Sequence, residues 1–182
     1  MARDRTRTKV HAAALALALD KNGTGALTME GIAARAGVSK QTVYRSWPST
    51  GAVLFDALLA RSADESGRVL IPNTGDLSSD LLTLAMGMIA ELTDPSEEAL
   101  LRAVTADLQS DAALAAQYRE LLLRPQLRAI SARLDDAGVP ASGDAAELFV
   151  GPIFYRWLLR SQPFDSEWIS AHVGRVIRGI ET

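Results

Sequence analysis

Residues 28–48 read TMEGIAARAGVSKQTVYRSWP. The apolar positions Ile32, Ala33, Ala36, Val38, Val43 and Trp47 fit two short helices, 29–36 and 40–47, with Gly37 and Val38 between them. Gly37 takes the left-handed backbone that ends a helix without a Cβ penalty. Thr28 and Ser39 stand where a side-chain oxygen caps the free amides of a following helix. Ala33 is small enough for a close helix crossing, and Val38 and Val43 fill the angle. The spacing and residue types predict a helix-turn-helix.

The second of these helices carries Lys40, Gln41, Thr42, Tyr44 and Arg45, and no acid occurs between positions 31 and 45. A merely solvated face would ordinarily mix in carboxylates. Donors and acceptors grouped toward the start of a helix suit a DNA major groove, with its base edges and flanking phosphates. Arg3, Arg5, Arg7 and Lys9 add a basic arm able to reach further phosphates or a minor groove.

The overall charge hides this end of the chain. The 182 residues sum to a net charge of −3, but residues 1–61 hold nine Lys/Arg against four Asp/Glu, and the remainder ten against eighteen. A basic amino-terminal third on an acidic body is the asymmetry expected of a chain that meets nucleic acid at one end. Apolar residues at 48% and charged residues at 23% exclude a disordered chain. The absence of cysteine excludes disulfides, thiolate metal sites and cysteine nucleophiles. His11 and His172, far apart in sequence, make neither a zinc set nor a catalytic triad. An enzyme reading built on Asp107, Asp111 and Glu120 lacks an accompanying base, metal ligands or a phosphate loop. No catalytic residue, metal or cofactor is expected.

The first nineteen residues, MARDRTRTKVHAAALALAL, imitate a secretory leader. Asp4 and His11 interrupt that pattern, and residues 20–23 look like a helix ending in a turn. Alanine and leucine favour a helix over 6–20, apolar on most sides and buried within its own domain. No run approaches the ~18 apolar residues needed to span a membrane. A cytoplasmic protein with no membrane partner is expected.

Helical patterns continue along the chain and no strand is convincing. Breaks at 21–27, 37–38, 47–48, 71–76, 93–95, 109–111, 137–143 and 161–163 give an all-α fold of about nine helices. Ser49, Asp94, Asp111 and Ser142 are further candidate caps. Pro125 and Pro152 fall inside helical patterns, where each should kink or interrupt its helix.

A first helix, the motif of residues 28–49 and the following AVLFDAL of 52–58 together resemble the TetR family of transcriptional repressors. The resemblance covers residues 6–60. It implies a homodimer that binds a pseudo-palindromic DNA operator and is released by a small-molecule effector. Carried over by position, Thr42 and Tyr44 match phosphate- and base-contacting sites, with Lys40, Gln41 and Arg45 as sequence readers. Thr28 matches a phosphate contact, and Ser39 stands with the DNA-binding set. The family usually has a lysine where this chain has Thr50, followed by Gly51. A hydroxyl and helix-terminal amides can still hold a phosphate, but one cation is missing, which implies weaker and less salt-dependent contact. Trp47 replaces the more usual phenylalanine and is read as core.

The resemblance divides the chain into a DNA-binding domain, 6–66, and a regulatory and dimerisation domain, 67–182. Within the second, Met86, Met88, Tyr118 and Phe149 are candidate liners of an apolar effector pocket. Large aromatics concentrate in 149–168, and the stretches GPIFYRWLL and PFD resemble the carboxy-terminal domain of one TetR subgroup. Phe149, Ile153, Trp157, Trp168, Ile169 and Val173 are therefore expected at the dimer interface, with an intrachain core as the alternative. A regulator controlled by a protein partner would carry the same features, and titration with the effector separates the two.

Overall fold

Free amides at helix starts must find acceptors, and several of the expected caps supply them. The computed structural model describes residues 2–20, 27–64 and 71–180, and no strand occurs among them. The helices are α1 (Ala2–Ala18), α2 (Met29–Ala36), α3 (Lys40–Ser46), α4 (Thr50–Asp64), α5 (Leu77–Thr93), α6 (Pro95–Asp107), α7 (Ala112–Tyr118), α8 (Arg124–Asp136), α9 (Ser142–Leu159) and α10 (Ser166–Ile180). A π-helical turn, Arg119–Leu123, joins α7 to α8, so the described chain reads as nine continuous helices. The fold is all-α, as the periodicity predicts.

Thr28, Ser39, Ser49 and Asp111 each accept an amide hydrogen bond at the start of the next helix. Ser142 does not cap α9. It is the first residue of that helix, behind Ala141, and its hydroxyl meets that of Ser131 at 2.7 Å. The expected break at 21–27 lies largely outside the described residues. The two prolines behave differently. Pro125 sits in the first turn of α8 directly after the π-helical turn, which takes up the interruption. Pro152 stays inside an unbroken α9. Lacking an amide hydrogen, it leaves the Leu148 carbonyl without its usual partner four residues on.

The chain forms two compact units, Met1–Gly67 with Pro95–Tyr118, and Arg68–Asp94 with Arg119–Thr182. In the first, α1 packs on α2 and α4, and α6 and α7 pack on α4. Val10, Ala14, Ile32, Val43, Leu54, Phe55, Leu100 and Leu114 form its core. Gly51 is required by a close approach: a Cβ there would lie 2.5 Å from Asp107 Oδ2 and 2.9 Å from Leu114 Cδ2. Any larger residue would push the α6–α7 corner off the start of α4.

In the second unit α8 packs on α9, and α5 and α9 pack on α10. A buried ion pair sits among them. Arg133 donates to Asp80 Oδ2 from Nε at 3.0 Å and from Nη2 at 2.6 Å, and Thr74 donates to the same carboxylate from its amide and hydroxyl. Burial opposes ionisation of Asp80, but Arg133 and Thr74 outweigh it and hold the carboxyl below its ordinary range.

The residues expected at a dimer interface divide between the interior of this unit and its surface. Phe149, Ile153, Trp157 and Val173 are all buried within the chain's own unit. Trp168 and Ile169 are only half-buried. Trp168 stacks on His172 at 5.0 Å and carries the Arg156 guanidinium 4.2 Å above its ring. His172 Nε2–H donates to the Phe149 carbonyl at 2.8 Å, and burial pushes its pKa below the ordinary value. The apolar residues that α9 leaves in solvent are different ones: Leu148 (63% exposed), Tyr155 (59%), Leu158 and Leu159.

Candidate nucleic-acid interface

The turn between α2 and α3 has the predicted form. Gly37 ends α2 at φ 66° and ψ 35°, and the Val38 amide returns to the Ala33 carbonyl. Ser39 then starts α3: its hydroxyl accepts from the Thr42 amide at 3.1 Å and meets Thr42 Oγ1 at 2.8 Å. Ile32, Ala33 and Val43 are buried and fix the angle between the helices. With its apolar side locked, α3 turns Lys40, Gln41, Tyr44 and Arg45 to solvent, and Thr42 is half-exposed. Thr28 is exposed at the start of α2, and Thr50 is half-exposed at the start of α4. Asp107, beside Gly51 at that end of α4, is pushed above the ordinary carboxylate range by burial and then by Asp111.

Three features were not expected. The first is Glu30, one residue before the acid-free stretch. The Tyr44 hydroxyl donates to its Oε1 at 3.2 Å, and Lys40 Nζ lies 3.6 Å from the same oxygen. Its own backbone hydrogen bond acts most strongly to hold this carboxyl below its ordinary range; desolvation opposes it, and Tyr44 and then Lys40 add to the lowering.

The second feature is a hub on Asp56. Oδ2 accepts from Arg7 Nε at 3.0 Å, His11 Nε2 at 2.9 Å and Trp47 Nε1 at 3.0 Å, while Oδ1 accepts from Arg7 Nη2 at 2.5 Å. Burial alone would raise this carboxyl, but Arg7, His11 and Trp47 together bring it below its ordinary range. One carboxylate thus ties α1 and α4 to the residue that ends α3. Trp47 is core, as read, but it also has a polar tether. Asp56→Ala should cost about 3 kcal/mol, because a buried donor left unmet costs about 1–3 kcal/mol and two indoor donors, on His11 and Trp47, lose their acceptor. Urea unfolding measures this; Asp56→Asn, which keeps one acceptor oxygen, should recover part of the loss. An unchanged midpoint in Asp56→Ala would remove the hub from the account of stability.

The third feature corrects the basic arm. Residues 2–18 are helical, so these basic residues stand on a helix that continues into the core rather than on an extended arm. Arg5 and Lys9 are exposed on α1, Arg7 is committed to Asp56, and the side chain of Arg3 lies outside the described residues.

The four candidate pocket residues are not gathered at one cavity. Met86 is 56% exposed, and Met88 and Phe149 are buried in the second unit. Tyr118 belongs to the first unit and packs on Phe55 at 5.9 Å. None of them lines the cleft of about 690 Å³ beside Arg7, Arg45, Trp47 and Asp56, or the cleft of about 380 Å³ beside Arg156, Trp168 and Arg175.

A capped glycine turn, an apolar-locked second helix and its cation-bearing exposed face define a helix-turn-helix DNA-binding protein. Residues 12–57 match the family described as bacterial regulatory proteins, TetR family, and residues 71–176 match the tetracycline repressor-like carboxy-terminal domain. The chain belongs to the TetR family of transcriptional regulators, which are not enzymes. It is 30% identical over 185 residues to the uncharacterised HTH-type transcriptional regulator YdeS of Bacillus subtilis, covering 97% of this chain and 90% of that protein. It is 31% identical over 140 residues to the DNA-binding transcriptional repressor TetR of Mycobacteroides abscessus, covering 75% and 70%. Among solved structures, the TetR-family regulator SCO0332 superposes with a TM-score of 0.70 at 27% identity, covering 96% of this chain and 98% of that one. No helix among the described residues is long and apolar enough to cross a membrane.

Proposed function

We propose that this chain is a homodimeric repressor that reads a pseudo-palindromic operator through α3 in the cytoplasm and is released by a small apolar effector. Residues 6–66 bind DNA in this reading, and residues 67–182 regulate and dimerise. The observation that carries it is the exposed polar face of α3, held by Gly37, Ser39 and the buried Val43. Lys40, Gln41, Thr42, Tyr44 and Arg45 meet base edges and phosphates. Thr28, Ser39 and Thr50 lie at helix starts, where free amides and hydroxyls suit phosphate oxygens.

In a dimer the two copies of α3 would stand about 34–36 Å apart or more, one turn of B-DNA or longer. Effector binding would favour a spacing that no longer fits, which requires unequal affinity for the two states. In this reading the coupling runs through a packing contact inside the first unit. α6 and α7, which belong to the regulatory part of the sequence, press on the start of α4 at Gly51 through Asp107 and Leu114. Support for an effector comes from the match of residues 71–176 to a repressor-like carboxy-terminal domain.

Tyr44→Ala tests the DNA face. Tyr44 is 50% exposed, so folding should survive. Operator affinity should fall roughly ten- to hundredfold, the scale of a lost hydrogen bond to a charged group plus its packing. A gel-shift titration against an operator recovered by in vitro selection measures it. Unchanged affinity would take Tyr44, and with it this face of α3, out of the DNA contact.

A further inference from the structure

Glu30 presents the DNA-facing surface with its own anion. Two of the residues placed on DNA, Lys40 and Tyr44, converge on one oxygen of this carboxylate, at 3.6 Å and 3.2 Å. The three come from two helices, α2 and α3, joined at the Gly37 turn. Glu30 is itself solvent-exposed, so it has no desolvated interior to stabilise. Its neighbours are the groups a phosphate would seek: an ammonium and a phenol hydroxyl. We propose that Glu30 is an internal competitor for DNA phosphate, an affinity-setting residue that neutralises Lys40 and engages Tyr44 until DNA displaces it. This rests on the reading of α3 as the DNA-facing helix.

The physical consequence is specific. Protein–DNA affinity that comes from phosphate contacts depends on counterions released, and each neutralised phosphate contributes about −0.9 to the slope of log affinity against log salt. A lysine already paired with a carboxylate brings no net charge to the backbone. Lys40 therefore counts little toward the slope while Glu30 is ionised. Arg45, on the same helix, is not in such a pair among the described residues and counts fully. The missing lysine at position 50 and the masked lysine at position 40 act in the same direction. Both hold down sequence-independent attraction and leave discrimination to base contacts.

The test is a double-mutant cycle on full-length protein with a fluorescein-labelled random-sequence duplex, read by anisotropy across a potassium chloride series. Glu30→Gln keeps the shape and removes the charge. It should tighten binding several-fold at low salt and steepen the slope by up to ~0.9 per bound protomer. Lys40→Ala alone should leave the slope near that of the parent, because the parent lysine is masked. Lys40→Ala in the Glu30→Gln background should abolish the gain. Arg45→Ala is the control for the helix itself. If Arg45→Ala weakens binding while Glu30→Gln changes neither affinity nor slope, the competitor is overturned and the DNA-facing helix stands. If Lys40→Ala alone flattens the slope as much as it does beside Glu30→Gln, Lys40 is unmasked and the proposal again fails. If neither Arg45→Ala nor Glu30→Gln has any effect, α3 does not face DNA and both readings fall.

Discussion

Replacing Tyr155 with aspartate is expected to turn a dimer into monomers. Leu148, Tyr155, Leu158 and Leu159 are all exposed, with Gly151 and Pro152 exposed between them. These positions recur at three- and four-residue spacing, so they form one stripe along α9. A contiguous apolar stripe of this kind marks an interaction surface on a soluble protein. Gly151 and Pro152 carry little side-chain bulk between Leu148 and Tyr155, which leaves room for a second helix to approach. That pattern suits a two-fold contact in which the same patch meets itself. Aspartate at position 155 would enter such a contact twice without a partner, and an unpaired buried charge costs several kcal/mol. Because Tyr155 is 59% exposed in the single chain, the fold should tolerate the change. Sedimentation velocity should show a dimeric parent and a monomeric variant with native helix content. A parent that sediments as a monomer, or a variant that stays dimeric, would remove α9 from the interface. Trp168 is the poorer probe, because its ring already serves Arg156 and His172 within the chain.

Arg133→Ala should be the most destabilising single change in the second unit. Removing one member of a buried ion pair strands the other, and such losses run to about 3–5 kcal/mol. Arg133 is 5% exposed and reaches a carboxylate that also anchors Thr74 at the entry to α5. Replacing both members with apolar residues, Arg133→Met with Asp80→Leu, should cost far less than either single change, since no charge remains to be stranded. Thermal unfolding of the two single variants and the double variant closes the cycle, and additive losses would show that the pair is not coupled. The acid limb provides a second check. Asp80 is depressed in the folded chain, so the unfolded chain takes up its proton first as pH falls. The contribution is complete above the ordinary carboxylate range near ~4 and is lost as pH drops through the lower folded value. The apolar double variant should lack this part of the acid sensitivity.

Local chemistry is what the sequence encodes most plainly. Gly37, Ser39 and Thr28 announce the helix-turn-helix because a left-handed cap and two side-chain caps depend on residues at most a few positions apart. The spacing of Ile32, Ala33 and Val43 settles which side of α2 and α3 is buried, and so which side carries Tyr44 and Arg45 outward. The same reasoning stops one residue short at Glu30. Its partners lie ten and fourteen positions later, on a helix whose crossing angle brings them within reach.

Other features depend on contacts across longer stretches. Asp56 reads as an unremarked acid in an apolar helix until the fold sets Arg7, His11 and Trp47 around it, across separations of 49, 45 and 9 residues. Gly51 reads as a gap in a motif until Asp107 and Leu114 arrive above it. α9 is the clearest case. Residues 148–159 are apolar on nearly every side, so a 3.6-residue period cannot choose between faces. The concentration of large aromatics and the family resemblance point to Phe149, Ile153 and Trp157 at a dimer interface, with an intrachain core as the alternative. Packing against α5, α8 and α10 turns those residues inward and leaves Leu148, Tyr155 and Leu159 outside. Sequence alone determined the all-α class, the helix-turn-helix with its caps at Thr28 and Ser39, and the polar face of α3, since these rest on local hydrogen bonding and periodic burial. Only the tertiary structure decided which apolar face stays open and which charges are already paired, since both depend on neighbours that the chain brings together from a distance.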